Sequence, residues 1–273
     1  VTGLRRWGGY VALVVAFALA CGLLSWWQWA RRAEAVAEIE RVAANYDAPA
    51  VALDAVLGDV GDVDEESEWR PVVLTGEYLA RDELLVRNRP RGGQAGFEVL
   101  VPFRLADGRV FVVDRGWLPG GSTAAGPDAV PRPPTGEVEV IVRLKPGEPE
   151  IPGRSAPEGQ IATIHLPEIA RLVDAPTYTG MYGLLAEESP STLDRPLPAI
   201  KPEADEGPHL SYALQWIAFG ILAFIGLVWA IRRERRIAAL PESERAAARA
   251  PRRGHRDADE EDALLDRARS PIE

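Results

Sequence analysis

Two apolar stretches, residues 7–30 and 210–231, stand near the two ends of the 273-residue chain and constrain its fold more than any other feature. At ~1.5 Å rise per residue, each is long enough to cross a ~30 Å hydrocarbon core as a helix. Whatever lies between them must then sit on one face of a membrane, tied down at both ends. The expected class is a membrane protein of α+β type. Two transmembrane helices form a hairpin that carries a compact, mainly antiparallel β domain with one or two short helices.

Charge sets the expected orientation. Arg5 and Arg6 precede the first stretch, and Arg232, Arg233, Arg235 and Arg236 follow the second, which is itself preceded by Glu203, Asp205 and Glu206. Arg31 and Arg32 oppose this weakly. The excess of arginine at the outer ends predicts a multi-pass protein of the cell membrane with both termini cytoplasmic and the central domain outside. Residues 33–209 carry 16 Lys+Arg against 31 Asp+Glu, a net charge of −15. So acidic a domain is not a nucleic-acid binder and does not cling to anionic headgroups; contact with membrane lipid falls to the two spans. Trp26, Trp27 and Trp29 end the first span, and Tyr212 and Trp216 begin the second, as one interfacial belt. Trp7, Tyr10 and Trp229 form the other. A lipoprotein signal ending at Cys21 competes with the first span, but Gly22, Leu23, Leu24, Trp26 and Trp27 continue the apolar run past it. Cys21 is the sole cysteine, so no intramolecular disulfide forms.

Between the spans the pattern changes to that of short strands. A helical extension and looser connector cover 33–66, with Val36 and Ile39 on one helical face. The β domain covers 67–187. Strands are expected at 69–75, where Pro71 argues for an edge or a strand start, at 83–89, at 97–105 and 109–118 around the hairpin signal Asp107-Gly108, at 137–144, 161–165 and 178–185. A short helix is expected at 167–173. A Pro-rich linker follows at 188–208, and 232–273 reads as a cytoplasmic tail, mostly disordered, with transient helix at most.

The catalytic inventory is thin. The histidines are His165, His209 and His255, and there is no HExxH, CxxC, GxSxG or P-loop motif. A membrane-anchored hydrolase of Ser/Lys type needs a neutral lysine beside its serine, and only Lys145 and Lys201 exist. The chain is therefore expected not to be an enzyme. What remains is the aromatic-rich end of the two spans. His209, Tyr212 and Trp216 recur at i, i+3 and i+7, one helical face. Trp27, Gln28, Trp29 and Arg31 end the other span, and antiparallel packing brings Gln28 and Gln215 to similar depth. One reading is a polar clamp between helices with aromatic anchors. The other is a site for haem, with His209 as the iron ligand, aromatic rings as stacking faces and arginines as propionate partners.

Four stretches resemble the Surfeit-locus-one family of cytochrome c oxidase assembly factors. They are WQWARR (27–32), EWRPVVLTGEYL (68–79), GFEVLVPFRLADGRVFVVDRGWLP (96–119) and HLSYALQWIAF (209–219), in the family's order over about residues 1–235. The region 145–208 matches only loosely, and the tail after 236 is not required by the pattern. The resemblance implies a role in maturing subunit one of a haem–copper oxidase, at or near insertion of haem a, with subunit one and haem a synthase as partners. It implies His209 as a haem a ligand; the residues read here as flanking that site are Tyr212, Trp216, Trp27 and Arg115. The alternative is a permanent accessory subunit of a respiratory oxidase with no haem transfer. Gln28, Gln215, Arg31, Gly116 and Trp117 are expected to serve packing or partner contact on either reading. For Arg115-Gly116-Trp117 a structural reading stands beside haem contact: an arginine paired with a carboxylate, and a glycine admitting another backbone.

Overall fold

A computed structural model describes residues 2–122 and 126–249. Residues 32–207 form one compact unit and the flanking helices another.

The helix pair consists of α1 (Thr2–Asn45), as far as Arg31, and α3 (His209–Ala238). Both helices are long and apolar enough to cross a membrane. Each runs beyond its expected span. Their contact faces follow a spacing of alternating fours and threes. On α1 the buried positions are Cys21, Ser25 and Gln28; on α3, Ala213 and Gly220 are buried, with His209, Trp216 and Ala223 partly so. That is the spacing of the seam between two antiparallel helices. Cys21, Ser25, Ala213, Gly220 and Ala223 make much of the seam small, as suits lipid-embedded helices that gain their attraction from close approach and hydrogen bonds. Bulky side chains such as Leu13, Leu19, Leu23, Leu214 and Leu222 point outward instead.

The second unit is a β-barrel. Its strands are β1 (Val51–Ala52), β2 (Pro71–Tyr78), β3 (Leu84–Val86), β4 (Gly96–Leu105), β5 (Val110–Pro119), β6 (Val138–Pro146), β7 (Gln160–Ile161) and β8 (Met181–Ser189). They run in the order β1-β2-β6-β8-β5-β4-β3-β7, and an added β2–β4 pairing closes the sheet on itself. Pairings are mainly antiparallel; β1–β2, β3–β7 and β5–β8 are parallel. The Asp107-Gly108 dipeptide forms the β4–β5 turn, with Gly108 at φ +90°. Pro71 starts β2, a strand paired on both sides, where its missing N–H costs least. Alternation along the strands sends Val72, Leu74, Val99, Val101, Phe103, Phe111, Val113, Val140 and Val142 into the interior. The opposite faces of β3, β4 and β5 (Val86, Leu100, Val112) are covered by Ile161, Ile164 and the short α2 (Leu166–Ala170).

Two stretches differ from expectation. The connector after α1 is part of the core: β1 pairs with β2, and Leu53 and Leu57 are buried in the barrel. Its glycines and Pro49 obscure apolar residues placed to plug one end. Residues 232–249 are largely helical, completing α3 and forming α4 (Glu242–Arg249), as Ala, Arg and Glu favour. The rest of the expected tail lies outside the described residues. The second half of α1 docks on the barrel: Trp69 Nε1 donates to Glu38 (2.8 Å), and Asn45 Nδ2 donates to the carbonyls of Glu66 and Glu68 (2.7 and 2.8 Å).

Candidate functional site

The histidine that opens α3 is held by α1. His209 Nδ1 lies 2.8 Å from Oε1 of Gln28. An amide oxygen only accepts, so Nδ1 is the donor in this contact; in the neutral ring that tautomer leaves the lone pair on Nε2. Gln28 is 9% exposed, which commits its amide to this contact. One turn further along α3, Ser25 Oγ donates to the carbonyl of Ala213 (3.1 Å). The two bonds fix the register of the helices where the imidazole emerges. Gln215, expected beside Gln28, is exposed instead. At i+6 from His209 it is turned off the seam, so the histidine meets the glutamine of α1.

The remaining residues expected at this end divide between seam and surface. Trp216 is partly buried and packs edge-on against Phe219, ring centroids 5.8 Å apart. Tyr212 and Trp27, 47% and 52% exposed, stand on the outer faces of their helices, as does Arg31. The result is a half-buried imidazole, with aromatic side chains beside Gln28 on α1 and following His209 on α3. A haem fits this donor set. It needs a neutral imidazole whose other nitrogen is hydrogen-bonded, and flat apolar surface beside it.

The Arg-Gly-Trp stretch does a different job. Pairing passes from Glu98↔Trp117 to Leu100↔Asp114, so β5 holds one residue more than β4. This is a β-bulge, with Gly116 at φ +128°. It lets Arg115 point into the barrel while Asp114 and Trp117 both face outward. Arg115, expected to flank haem, is fully enclosed. Its Nη2 lies 3.5 Å from Oε2 of Glu188, its Nη1 donates to the Pro131 carbonyl (2.8 Å), and its guanidinium sits 5.5 Å from the ring centre of Tyr78. That is the structural reading of this residue: a buried charge needs a buried partner. The position of Gly116 would put any Cβ 2.4 Å from the Leu197 carbonyl oxygen. The Pro-rich linker thus seats directly on the bulge, and Leu197 exchanges both backbone bonds with Trp117 (2.8 and 2.9 Å).

Sequence reasoning does not find the cleft that this linker borders. Its cavity of about 360 Å³ is lined by Trp69, Arg89, Glu98, Asp114, Trp117 and Tyr182, among others. Arg89 pairs with Glu98 (2.8 Å) and grips Glu148 through both oxygens (2.7 Å each). Burial, and then the charge of Glu98, pushes the Asp114 carboxyl up to about 8, while the Gly116 N–H bond opposes the shift. Burial also raises Glu98 and Tyr182. Burial acts the same way on Glu148, but Arg89 and the Ile164 N–H outweigh it and hold that carboxylate below its usual range. Asp114 is a single acidic residue between Val113 and Arg115 in a valine-rich strand, and nothing in the local pattern marks it.

Neither lysine is a free base. Lys145 pairs with Glu68, and Lys201 pairs with Asp47 at 2.6 Å. His165 stands at the N-terminal boundary of α2. Among the described residues no cluster of His, Cys, Asp or Glu could hold a metal ion.

Two membrane-length helices flanking a small β-barrel in sequence make this a membrane-type α+β protein. The chain belongs to the SURF1 family, whose sequence profile matches residues 15–221. An uncharacterized SURF1-like protein of Mycobacterium tuberculosis is 34% identical over 227 residues, 81% of this chain and 82% of the relative. A SURF1-like protein of Rickettsia felis is 24% identical over 221 residues, 77% of this chain and 90% of the relative. The cytochrome oxidase assembly protein SHY1 of Saccharomyces cerevisiae is 36% identical over 58 residues, 21% of this chain and 15% of the relative.

Proposed function

We propose that this chain is an assembly factor for a haem–copper cytochrome c oxidase, and that it carries haem a as cargo on Nε2 of His209. One observation supports the haem reading above the others. The His209–Gln28 contact suits the Nδ1–H tautomer, in which a neutral ring offers its Nε2 lone pair to iron. The assembly reading draws on family membership and on the likeness to the yeast assembly protein. The chain's own residues hold the imidazole, fix its tautomer and offer apolar surface at the membrane interface. The handover partner is oxidase subunit one, and haem a synthase is the source. The function is a chaperone's rather than an enzyme's, in keeping with both lysines being tied up in ion pairs.

The deciding experiment is purification from cells making haem a, with absorption spectroscopy and identification of co-purifying proteins. We expect a Soret band, subunit one in substoichiometric amount, and loss of the band in His209→Asn at unchanged membrane level. A wild type without haem, or a variant with its full band, removes the ligand role. Subunit one retained at one-to-one in the finished oxidase makes the chain a permanent subunit.

The orientation proposed is both termini cytoplasmic, with the barrel outside, in the cell membrane. It is supported by the arginines at the outer ends of the spans. Alkaline phosphatase fused after Arg236 should be silent; activity there reverses the topology.

A further inference from the structure

The histidine does not hold its own geometry. α3 begins at His209 after Pro208, with no side-chain cap, so the first turn has no intrahelical means of orienting the ring. Two α1 residues supply it. Gln28 bonds the imidazole directly, and Ser25 grips the Ala213 carbonyl one turn along. Both α1 side chains are buried in the seam (Ser25 5%, Gln28 9% exposed). They lie three residues apart on the face that meets α3. A glutamine and a serine among Cys21, Ala213 and Gly220 cost apolar contact. Packing alone would be served as well by alanine or leucine.

We infer that Gln28 is the positioning residue of the haem site: its amide oxygen holds His209 in the Nδ1–H tautomer and aims Nε2 away from α1, with Ser25 setting the register that makes this contact. The inference rests on His209 being the haem ligand for its consequence, though the tautomer itself is a property of the haem-free protein. Without an acceptor at Nδ1, a neutral histidine in water prefers its proton on Nε2, the nitrogen that must bind iron. Each binding event would then require a tautomer change. A second-sphere acceptor removes that step and strengthens the imidazole as a donor. Losing such a partner costs about 10–100-fold in metal affinity.

The test uses the full chain, labelled with ¹⁵N-histidine, in lipid nanodiscs without haem. The His209 signals are assigned by their disappearance in His209→Asn. Wild type should show a protonated Nδ1 and an unprotonated Nε2. Gln28→Leu, which fits a membrane helix, should move the proton to Nε2. Gln28→Glu, with a carboxylate acceptor, should keep it on Nδ1. On loading haem, Gln28→Leu should weaken binding by about 10–100-fold. Gln28→Glu should bind and shift the Fe(III)/Fe(II) potential downward, a change that mere loss of helix packing would not produce. A wild-type Nε2–H tautomer, or a Gln28→Leu spectrum identical to wild type, overturns the inference whether or not haem binds. Absence of haem from a wild type that shows the Nδ1–H tautomer leaves the positioning intact and removes only the ligand reading.

Discussion

Arg115 and Glu188 face each other inside the barrel with both side chains completely enclosed, Nη2 to Oε2 at 3.5 Å. The pair links β5 to β8, two strands that run parallel. Nη2 of Arg115, both Glu188 oxygens and the Tyr78 hydroxyl have no direct hydrogen-bond partner. Burial, and then the Glu188 charge, keeps that hydroxyl protonated far above tyrosine's usual range. Charges this enclosed stabilise a fold mainly by cancelling each other. Removing one partner strands the other and costs about 3–5 kcal/mol, whereas replacing both by apolar side chains is close to neutral. Thermal unfolding of the full chain in detergent should therefore show Arg115→Met and Glu188→Leu each well below wild type. The double variant should recover most of the loss. Additive losses would show that the two side chains do not act as a pair.

Asp114 makes stability depend on pH in the direction opposite to most carboxylates. Its pKa rises from the ordinary aspartate range to about 8 on folding, so the folded chain binds a proton that the unfolded chain releases. Stability from this group is fully present below pH ~4, falls by up to about 1.4 kcal/mol per pH unit, and levels off above pH ~8. The groups facing it are Glu98, Arg89, Glu148 and Tyr182. Glu98, also raised by burial, adds slope in the same direction. Asp114→Asn keeps an acceptor for the Gly116 N–H, which now bonds the carboxylate at 2.8 Å, but it removes the titrating proton. Unfolding measured from about pH 6 to 8 should give a shallower profile for Asp114→Asn, and a more stable protein than wild type at the upper end. Parallel profiles would place the titrating group elsewhere.

The barrel strands are legible from alternation, because a residue pattern of period two carries its own face assignment. So is the Asp107-Gly108 turn, which demands a residue that accepts positive φ. The closing of the sheet is not. It depends on β2 meeting β4 through Gly76, Glu77 and Tyr78, and no local pattern records pairing at that distance. The connector hides for a related reason: Leu53 and Leu57 have no strand or helix period long enough to detect. At the candidate site, His209, Tyr212 and Trp216 stand out as residue types at helical spacing. Which glutamine reaches His209 is a matter of helix rotation. It turns on the small-residue seam, and only packing shows that Gln28 lies on it while Gln215 does not.

The linker's hold on the barrel runs through one glycine. Gly116 combines φ +128° with a Cβ position 2.4 Å from the Leu197 oxygen and 3.2 Å from Pro196 Cβ, so alanine is both strained and obstructed. Gly116→Ala should lift residues 196–198 off β5. The Leu197–Trp117 bonds and the Arg91–Pro198 carbonyl bond (2.7 Å) would loosen together. Hydrogen exchange at the Leu197 amide should accelerate by about 10-fold or more, the equivalent of one hydrogen bond. The amides of β6 that bond to β2 and β8 should not change. Unaltered protection at Leu197 would mean that the linker is held from its other end, where Lys201 meets Asp47.

Cys21 offers a reporter for the seam that positions His209. It is 2% exposed, and it faces Gly220, where an added Cβ would stand 3.7 Å from Cys21 Cβ. That is ordinary contact, so Gly220→Ala fits. A leucine carries three more carbons into the same space and must part the helices. Parting them by even about 1–2 Å breaks the hydrogen-bond geometry between Gln28 and His209. Gly226, by contrast, has nothing within 4 Å of its Cβ position, and leucine there points into open space. Alkylation of the single thiol by a membrane-permeant maleimide should be slow in wild type, Gly220→Ala and Gly226→Leu, and fast in Gly220→Leu. The same Gly220→Leu variant should lose the Nδ1–H signature of His209, although neither the histidine nor the glutamine has been touched. Slow labelling with a normal histidine spectrum in Gly220→Leu would show that the seam does not carry the site.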